Sequence, residues 1–194
     1  KESEYTVTSL YFDDPYNSAL TQKINGDSHR HKYRIRFYNE DTVLLKLERK
    51  TKIHQMTKKI SINILPEECR RILAGDYAFL SKKEEDIFQD FHRKLTSSKL
   101  KPKVIVQYQR LSFIHPVGNL RITFDSDIRT SGNQLDFFNK SMMYTPVLGI
   151  GDVIMEIKFN GIIPDYIRNL IQTRHVMAGS SSKYVFSRKF NYEL

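Results

Sequence analysis

Polar and apolar side chains alternate along several stretches of the chain, and this period of two is the pattern of β-strands. Runs rich in β-branched and aromatic residues predict strands at residues 5–12, 31–39, 42–50, 57–64, 103–114, 119–128 and 151–161. Short turns join the second run to the third and the fifth run to the sixth. Because strands outnumber helices and arrive mainly as hairpins, the sequence predicts an α+β fold around an antiparallel sheet.

Capping and stop signals predict the helices. Asp14 is expected to cap the first helix, with Pro15 at its first position and Gly26 at its end. Ser81 and Glu84 have the spacing of a capping box, which predicts a helix over residues 81–95. Further helices are predicted at 66–76 and 164–173, residues 131–141 are expected to be irregular, and residues 183–190 are ambiguous.

Basic residues recur on one face of the predicted strands, because strand side chains alternate between the two faces of a sheet. The residues on this basic face are Lys32, Arg34, Arg36 and Tyr38, then Lys46, Glu48 and Lys50, then Tyr108 and Arg110, then Arg121 and Asp125, and finally Glu156 and Lys158. One interpretation is a half-buried sheet whose polar face meets water. Like charges on adjacent strands are nevertheless destabilising unless something neutralises them. A second interpretation is therefore a sheet closed into a basic tunnel that binds a polyanion, with helices packed on the outside.

Composition narrows the class of partner. The 194 residues fit a single domain, and the formal net charge of +9 favours anionic partners such as nucleic acid, acidic lipid, polyanions or phosphorylated small molecules. The single cysteine, Cys69, excludes an internal disulfide and predicts a reducing, cytoplasmic location. The sequence contains no apolar run of membrane-spanning length.

Seven short motifs occur in a specific order. They are SLYFDDP at 9–15, KYRIRFY at 32–38, LKLERKT at 45–51, YQRLSF at 108–113, LRITFD at 120–125, VIMEIKF at 153–159 and SSSK at 180–183. In this order they resemble the VTC domain, the polyphosphate-polymerase branch of the triphosphate tunnel metalloenzyme superfamily. The resemblance implies one antiparallel β-barrel tunnel domain over residues 1–194, whose first strand is expected to precede residue 1. It also implies transfer of the γ-phosphoryl group of ATP to inorganic polyphosphate, with Mn²⁺ or Mg²⁺ as cofactor.

The resemblance assigns roles by position. It implies that Arg34 and Arg36 form a phosphate clamp and act as catalytic residues together with Lys50 and Lys183. The implied phosphate-binding residues are Arg34, Arg36, Lys46, Lys50, Arg110, Arg121, Lys158, Ser182 and Lys183. Either Lys58 or Lys59 matches a further basic position. Glu156 matches the metal-binding glutamate, although a salt bridge to Lys158 is the simpler interpretation of the residue itself.

Two rival functions remain open at this stage. A hydrolase acting on triphosphate or nucleoside triphosphates would share the tunnel and differ in using water as the acceptor. A non-catalytic polyanion-binding or RNA-binding module would need aromatic rings among the basic residues to stack bases. The predicted basic faces offer two such rings, Tyr38 and Tyr108, so nucleic acid is not the expected partner. Asp125 shares a face with Arg121 and is expected to orient it. The sequence leaves the oligomeric state open.

Overall fold

The computed structural model describes residues 2–161, 163–171 and 179–192. These residues form eight strands in one sheet and five α-helices, which confirms the α+β class. The strands are β1 (Glu2–Asp13), β2 (His29–Tyr38), β3 (Asp41–Ile53), β4 (Met56–Ile64), β5 (Lys101–His115), β6 (Leu120–Thr130), β7 (Thr145–Pro146) and β8 (Ile154–Lys158). The helices are α1 (Ser18–Asn25), α2 (Pro66–Leu73), α3 (Asp86–Thr96), α4 (Asp165–Ile171) and α5 (Lys183–Tyr192).

Neighbouring strands of the sheet are antiparallel, in the order β4-β3-β2-β1-β5-β6-β7, and β8 also pairs with β6. Within the described residues the hydrogen-bonded ladder runs from β4 at one end to β7 and β8 at the other, without joining those ends. Residues of β4 and β8 nevertheless line one common cavity, so the sheet curves strongly around it. Within the described residues the architecture is therefore an open, curled sheet with a concave and a convex face, and the hydrogen-bonded ladder does not form the closed barrel that the resemblance implied.

The convex face carries the larger hydrophobic core, as the alternation predicts. Its buried residues include Leu10, Phe12, Ile35, Leu47 and Ile105 from the strands and Cys69, Ile72, Phe88, Phe91 and Leu95 from α2 and α3. Phe91 of α3 meets Phe12 edge-on, with ring centroids 5.2 Å apart, and stacks on Tyr33 at 5.1 Å. Burying each such side chain stabilises the fold by about 1.5–3 kcal/mol. Packing on α2 and α3 therefore turns the apolar sides of β2 and β3 outward and their basic sides toward the cavity.

Two helices lie on the concave face, which corrects the expectation that the helices pack outside the sheet. Ala19 and Leu20 of α1 and Tyr184 of α5 belong to a second core cluster, together with Tyr11 of β1. Asp13 joins these elements: its carboxylate accepts the Tyr184 hydroxyl at 2.6 Å and the Ala19 amide at 2.9 Å. These helices therefore fill the end of the concave face where β1 terminates.

The first helix begins later than predicted. Pro15 precedes it, and α1 begins at Ser18 and ends before Gly26, whose φ of 77° closes the helix. Asp14 Oδ1 accepts the amides of Tyr16 and Ser18 and so forms a turn ahead of the helix. Such local side-chain bonds compete with the first helical turn and move its start.

The capping box predicted at Ser81 and Glu84 is wrong. Ser81 belongs to a short 3-10 helix, Ala78–Lys82, and its hydroxyl donates to the Ala78 carbonyl. The α-helix begins at Asp86 instead. The ambiguous residues 183–190 lie within α5. The helix predicted at 164–173 is α4, and residues 172 and 173 of that prediction lie outside the described part. Of the helices described, none has the length and apolar character to cross a membrane.

Candidate anion-binding site

The concave face encloses a cavity of about 800 Å³. Among the described residues, nine cationic side chains line it from six strands and α5: Lys32, Arg34, Arg36, Lys50, Lys59, Arg110, Arg121, Lys158 and Lys183. Two carboxylates, those of Glu48 and Glu156, are found among the described lining residues. This imbalance of charge makes the cavity an attractive site for an anion with several negative charges.

Glu48 is the central carboxylate of one wall and is 2% exposed. Arg34 lies opposite it in the β2–β3 ladder, and the Arg34 Nε donates to Glu48 Oε2 at 2.7 Å. Lys59 of β4 donates to the other oxygen at 3.1 Å. Burial would raise the pKa of Glu48, but the guanidinium groups of Arg34 and Arg36 outweigh it and lower the pKa to about 2. One carboxylate thus serves three cations, and the wall keeps a positive charge.

Arg36 holds unused hydrogen-bond donors at the cavity. It is 4% exposed, and its Nε lies 3.5 Å from Glu48 Oε2, beyond a good hydrogen bond. Among the described residues, the Nε and Nη2 atoms of Arg36 have no hydrogen-bond partner. A buried charged donor without an acceptor destabilises the fold, because the hydrogen bond that it made to water is not replaced. A phosphate group bound beside Arg36 in the cavity would balance the charge of its guanidinium.

The opposite wall is built around Asp125, which is fully buried. Arg110 lies across from it in the β5–β6 ladder and donates from Nε and Nη2 at 2.6 and 2.8 Å. Lys183 of α5 places its Nζ 2.5 Å from the same carboxylate. Burial would raise the pKa of Asp125, but Arg110 and Lys183 hold it below its usual range. Asp125 therefore orients Arg110 and Lys183, and not Arg121 as expected. The Arg121 Nη2 donates instead to the Tyr5 hydroxyl at 2.9 Å.

The segment that leads into α5 connects the two walls. Lys32 Nζ of β2 donates to Ser182 Oγ at 3.0 Å, and the Lys32 ammonium lies 5.1 Å from the centre of the Tyr184 ring. Lys23 of α1 donates to Ser180. Since Lys183 binds Asp125 on β6, residues 180–183 span the cavity from the β2 side to the β6 side.

Glu156 of β8 is the second carboxylate at the cavity. It lies 3.2 Å from Lys158, so the salt bridge considered from the sequence is present. Burial would raise the pKa of Glu156, but the Lys158 ammonium lowers it, so the group is a carboxylate. The described residues contain no group of three or more His, Cys, Asp or Glu side chains that could hold a metal ion. Any cation bound here would take one protein carboxylate and complete its coordination with ligand oxygens.

Tyr11 and Lys32 are two ionisable groups whose protonation the cavity shifts. Burial would raise the pKa of the Tyr11 phenol, but the charges of Arg34 and Arg36 outweigh it and lower the pKa to about 8. Burial also lowers the pKa of the Lys32 ammonium to about 8, and the Tyr11 phenolate opposes that shift. The cavity therefore changes its charge near neutral pH.

The cavity brings together nine of the ten residues that the sequence nominated for the site. Those nine are Arg34, Arg36, Lys50, Arg110, Arg121, Glu156, Lys158, Ser182 and Lys183. Lys46 is the exception: it does not line the cavity, and its ammonium lies 6.0 Å from the centre of the Tyr38 ring. Of the two lysines left open, Lys59 lines the cavity. Their roles in phosphate binding and catalysis stay predictions.

Several lining residues were not predicted as parts of the site, among them Tyr5, Tyr11 and Lys32. Lys32 was placed on the basic face but was given no role. Tyr5 and Tyr11 share a face of β1 by alternation, which is a usable signal. The pairing of β1 with its neighbours is what shows that this face points to the cavity. In that pairing Tyr11 lies opposite Arg34, and Tyr5 lies opposite Arg110.

Comparison with known proteins identifies a family. The model of the VTC domain family matches residues 1–192 of the chain. Among solved structures, the chain is similar to a Hippeastrum protein described as having a dominant triphosphatase activity. The two share 14% sequence identity over 88% of this chain and 72% of the other, with a TM-score of 0.49. No curated protein matches the chain.

Proposed function

Because the chain belongs to the VTC domain family, we propose that it is a polyphosphate polymerase that uses ATP. The observation that carries the proposal is the cavity, in which cations far outnumber carboxylates among the described lining residues. A chain of phosphates would neutralise these charges. The volume of the cavity, about 800 Å³, lies within the range of pockets that bury a ligand of nucleotide size.

In the proposed reaction, a terminal oxygen of the polyphosphate chain attacks the γ-phosphorus of ATP. The bond from this phosphorus to the oxygen that bridges it to the β-phosphate breaks, and ADP leaves with that oxygen. The polyphosphate gains one phosphoryl unit. Phosphoryl transfer of this kind needs positioning and neutralisation of charge more than covalent chemistry by the protein. An array of arginines and lysines supports that requirement.

The acceptor is proposed to be phosphate because of the state of the lining carboxylates. A terminal phosphate oxygen is already anionic and needs no base, whereas an attacking water must lose a proton. Glu48 and Glu156, the carboxylates that line the described cavity, are each paired with a cation, at 2.7 Å and 3.2 Å. Both are poorly suited to act as a base, and this favours transfer over hydrolysis.

The arginines are proposed to hold the phosphates because their planar donors bind two oxygens at once and never lose their charge. In this proposal Arg34 and Arg36 grip the transferred group from one wall. Arg110 and Arg121 contact it from the other wall. The remaining proposed contacts come from Lys50, Lys158, Ser182 and Lys183, which all line the cavity, whereas Lys46 does not.

Glu156 is the residue proposed to hold Mn²⁺ or Mg²⁺. Its carboxylate reaches the cavity, and a hard cation needs few protein ligands when phosphate oxygens supply the others. Such an ion would neutralise charge that develops on the transferred phosphates. Across the ladder from Glu156, the Thr123 hydroxyl is buried without a partner in the described residues, a further oxygen close to this position.

The cavity is proposed to work as a tunnel. Residues 180–183 already bridge its two walls at one end, and bound phosphates would draw the walls of the curled sheet together by pairing with cations on both. Enclosure would exclude water and strengthen every charge interaction inside. A cytoplasmic location, where ATP is available and free thiols stay reduced, fits this activity.

One experiment separates the candidate functions. The protein is incubated with ATP and Mn²⁺, and the products are resolved on a gel stained for polyphosphate. A ladder of polyphosphate with release of ADP supports the polymerase. Orthophosphate without a ladder would indicate a hydrolase, and ATP binding without turnover would indicate a non-catalytic module. Arg70→Ala removes an exposed arginine of α2 and is the control, because it should leave the ladder unchanged.

A further inference from the structure

The two ends of the cavity differ in chemistry. At one end, Lys32 lies opposite Lys50 in the β2–β3 ladder, beside residues 180–183. At the other end, Tyr38 and Tyr5 line the cavity, with ring centroids 5.7 Å apart and planes at 68°. Lys32 and Tyr38 are six residues apart on one strand, a distance of about 20 Å. Arg34 and Arg36 lie between them on the same face.

From this arrangement we infer that Tyr38 is the platform on which the base of the nucleotide stacks. The inference rests on the proposed function and adds to it a choice of substrate. The arginines between the ends would hold the triphosphate, and the lysines at the far end would hold the growing polyanion. The tyrosine end would then make the cavity prefer a nucleoside triphosphate to an inorganic one.

Exposure separates Tyr38 from the other tyrosines of the cavity. Tyr11 is 6% exposed and packs against Tyr184, with ring centroids 5.2 Å apart, while Tyr108 is 3% exposed and its ring faces the Lys183 ammonium at 4.7 Å. Those two rings are enclosed by protein. Tyr5 and Tyr38 are half-buried and border open space. A base can stack only on a ring that keeps exposed surface in the cavity, so the platform lies at this end.

Hydrogen bonds hold the platform in place. Tyr38 ends β2 and is followed by Asn39 and Glu40, whose φ angles of 50° and 59° make a tight turn into β3. Asn39 is tied to β1, because its amide donates to the Thr6 carbonyl and its side-chain oxygen accepts the Thr6 amide, both at 3.0 Å. Because the backbone next to Tyr38 is fixed, the platform loses less freedom when a base stacks on it.

Tyr5 has a different part in this site. Its hydroxyl accepts a hydrogen bond from Arg121, and its ring lies T-shaped to the Tyr38 ring. Tyr5 is therefore a positioning residue for a phosphate-binding arginine and for the platform. Around Tyr38 the charged neighbours are Arg36, 5.9 Å from the ring centre, and Lys46 at 6.0 Å. Both are cations, so the same end could also contact the phosphates nearest the ribose.

The test compares two ligands that share a triphosphate and differ in the nucleoside. Affinities for ATP and for inorganic tripolyphosphate are measured by calorimetry without metal. Tyr38→Ala should weaken ATP binding about 10-fold, within the range for stacking one base on an aromatic ring, and leave tripolyphosphate binding unchanged. Tyr38→Phe should bind ATP like the parent. Tyr16→Ala removes a tyrosine that is 87% exposed outside the cavity and should change neither affinity.

The possible results separate this inference from the proposed function. If Tyr38→Ala loses the same affinity for both ligands, or for neither, the platform is contradicted, while the role proposed for the cavity still stands. A parent protein that binds neither ligand overturns the proposed function and the platform together. Saturation-transfer NMR is carried out on the parent protein, so its result does not depend on whether a variant folds. Transfer from tyrosine ring protons to the base protons of ATP is expected, and its absence from bound ATP would contradict the platform.

Discussion

Arg34 and Glu48 face each other across the β2–β3 ladder, with Arg34 Nε 2.7 Å from the Glu48 carboxylate. The carboxylate is 2% exposed, and it also contacts Lys59 at 3.1 Å. This arrangement explains how the cavity can hold several cations side by side before any ligand binds. One buried negative charge keeps the wall together, and the surplus positive charge remains for a substrate.

Replacing Glu48 by Gln should therefore destabilise the fold. Removing one partner of a buried ion pair leaves its cations uncompensated, and about 1–3 kcal/mol is expected here because Arg34 and Lys59 keep some contact with water. Tripolyphosphate should raise the melting temperature of the Glu48→Gln variant more than that of the parent, because it replaces the missing charge. Glu67→Gln, on an exposed surface pair, is the control. Equal stability of variant and parent without ligand would contradict this account of Glu48.

The free energy of unfolding at acid pH should also depend on the Glu48 carboxylate. The pKa of Glu48 is lowered to about 2 in the folded protein, from an ordinary value of 4.5. Its stabilisation is present above the ordinary value and is lost as the pH falls toward the lowered one. Urea denaturation over this range should show a shallower loss of the free energy of unfolding for Glu48→Gln than for the parent.

Replacing Arg36 by Ala should weaken tripolyphosphate binding by roughly 1.5–3 kcal/mol, the usual scale of a hydrogen bond to a charged group. Stability should not fall, because two of its buried donors lack partners in the described structure and a like charge beside Arg34 disappears. Arg34→Ala should differ, since it deprives Glu48 of its closest cation and destabilises the fold. Calorimetry and thermal melting measure both effects. If the Arg36 variant binds tripolyphosphate with unchanged affinity, Arg36 does not contact the bound phosphates.

Replacing Glu156 by Gln should separate binding from catalysis. Metal-free binding of tripolyphosphate should persist or tighten, because an anion leaves the cavity. Turnover of ATP should fall by at least ~10²-fold, the scale of losing one preorganised electrostatic contact. The measurement is a Mn²⁺ titration of both proteins, with Glu67→Gln as the control. If the variant turns over like the parent at low Mn²⁺, Glu156 serves only as the partner of Lys158.

Alkaline pH should weaken anion binding. The pKa values of Tyr11 and Lys32 are both lowered to about 8, so each proton lost near that pH removes positive charge from the cavity. Affinity for tripolyphosphate should fall between about pH 7 and 9, less steeply in Tyr11→Phe and in Lys32→Met. The free energy of unfolding should rise over the upper part of this range, because the unfolded chain then binds more protons. A flat affinity profile in the parent would rule out titration of this pair.

The sequence by itself determined the strands and the faces on which their side chains lie. Alternation is a local property of extended backbone, so Lys32, Arg34 and Arg36 had to share a face opposite Tyr33 and Ile35. The hairpin through Asn39 then placed β3 beside β2, with its own basic residues on that same face. These relationships span few residues, and for that reason the α+β class and most of the site could be predicted.

Only the tertiary structure decided which charges pair between distant elements and which residues of β1 line the cavity. Asp125 shares a strand face with Arg121, yet it binds Arg110 of the neighbouring strand and Lys183 of α5. Tyr11 entered the cavity because β1 became the central strand between β2 and β5. Both outcomes depend on strand order, curvature and the position of a distant helix. Local patterns carry none of that information, because those contacts form only when packing brings remote parts of the chain together.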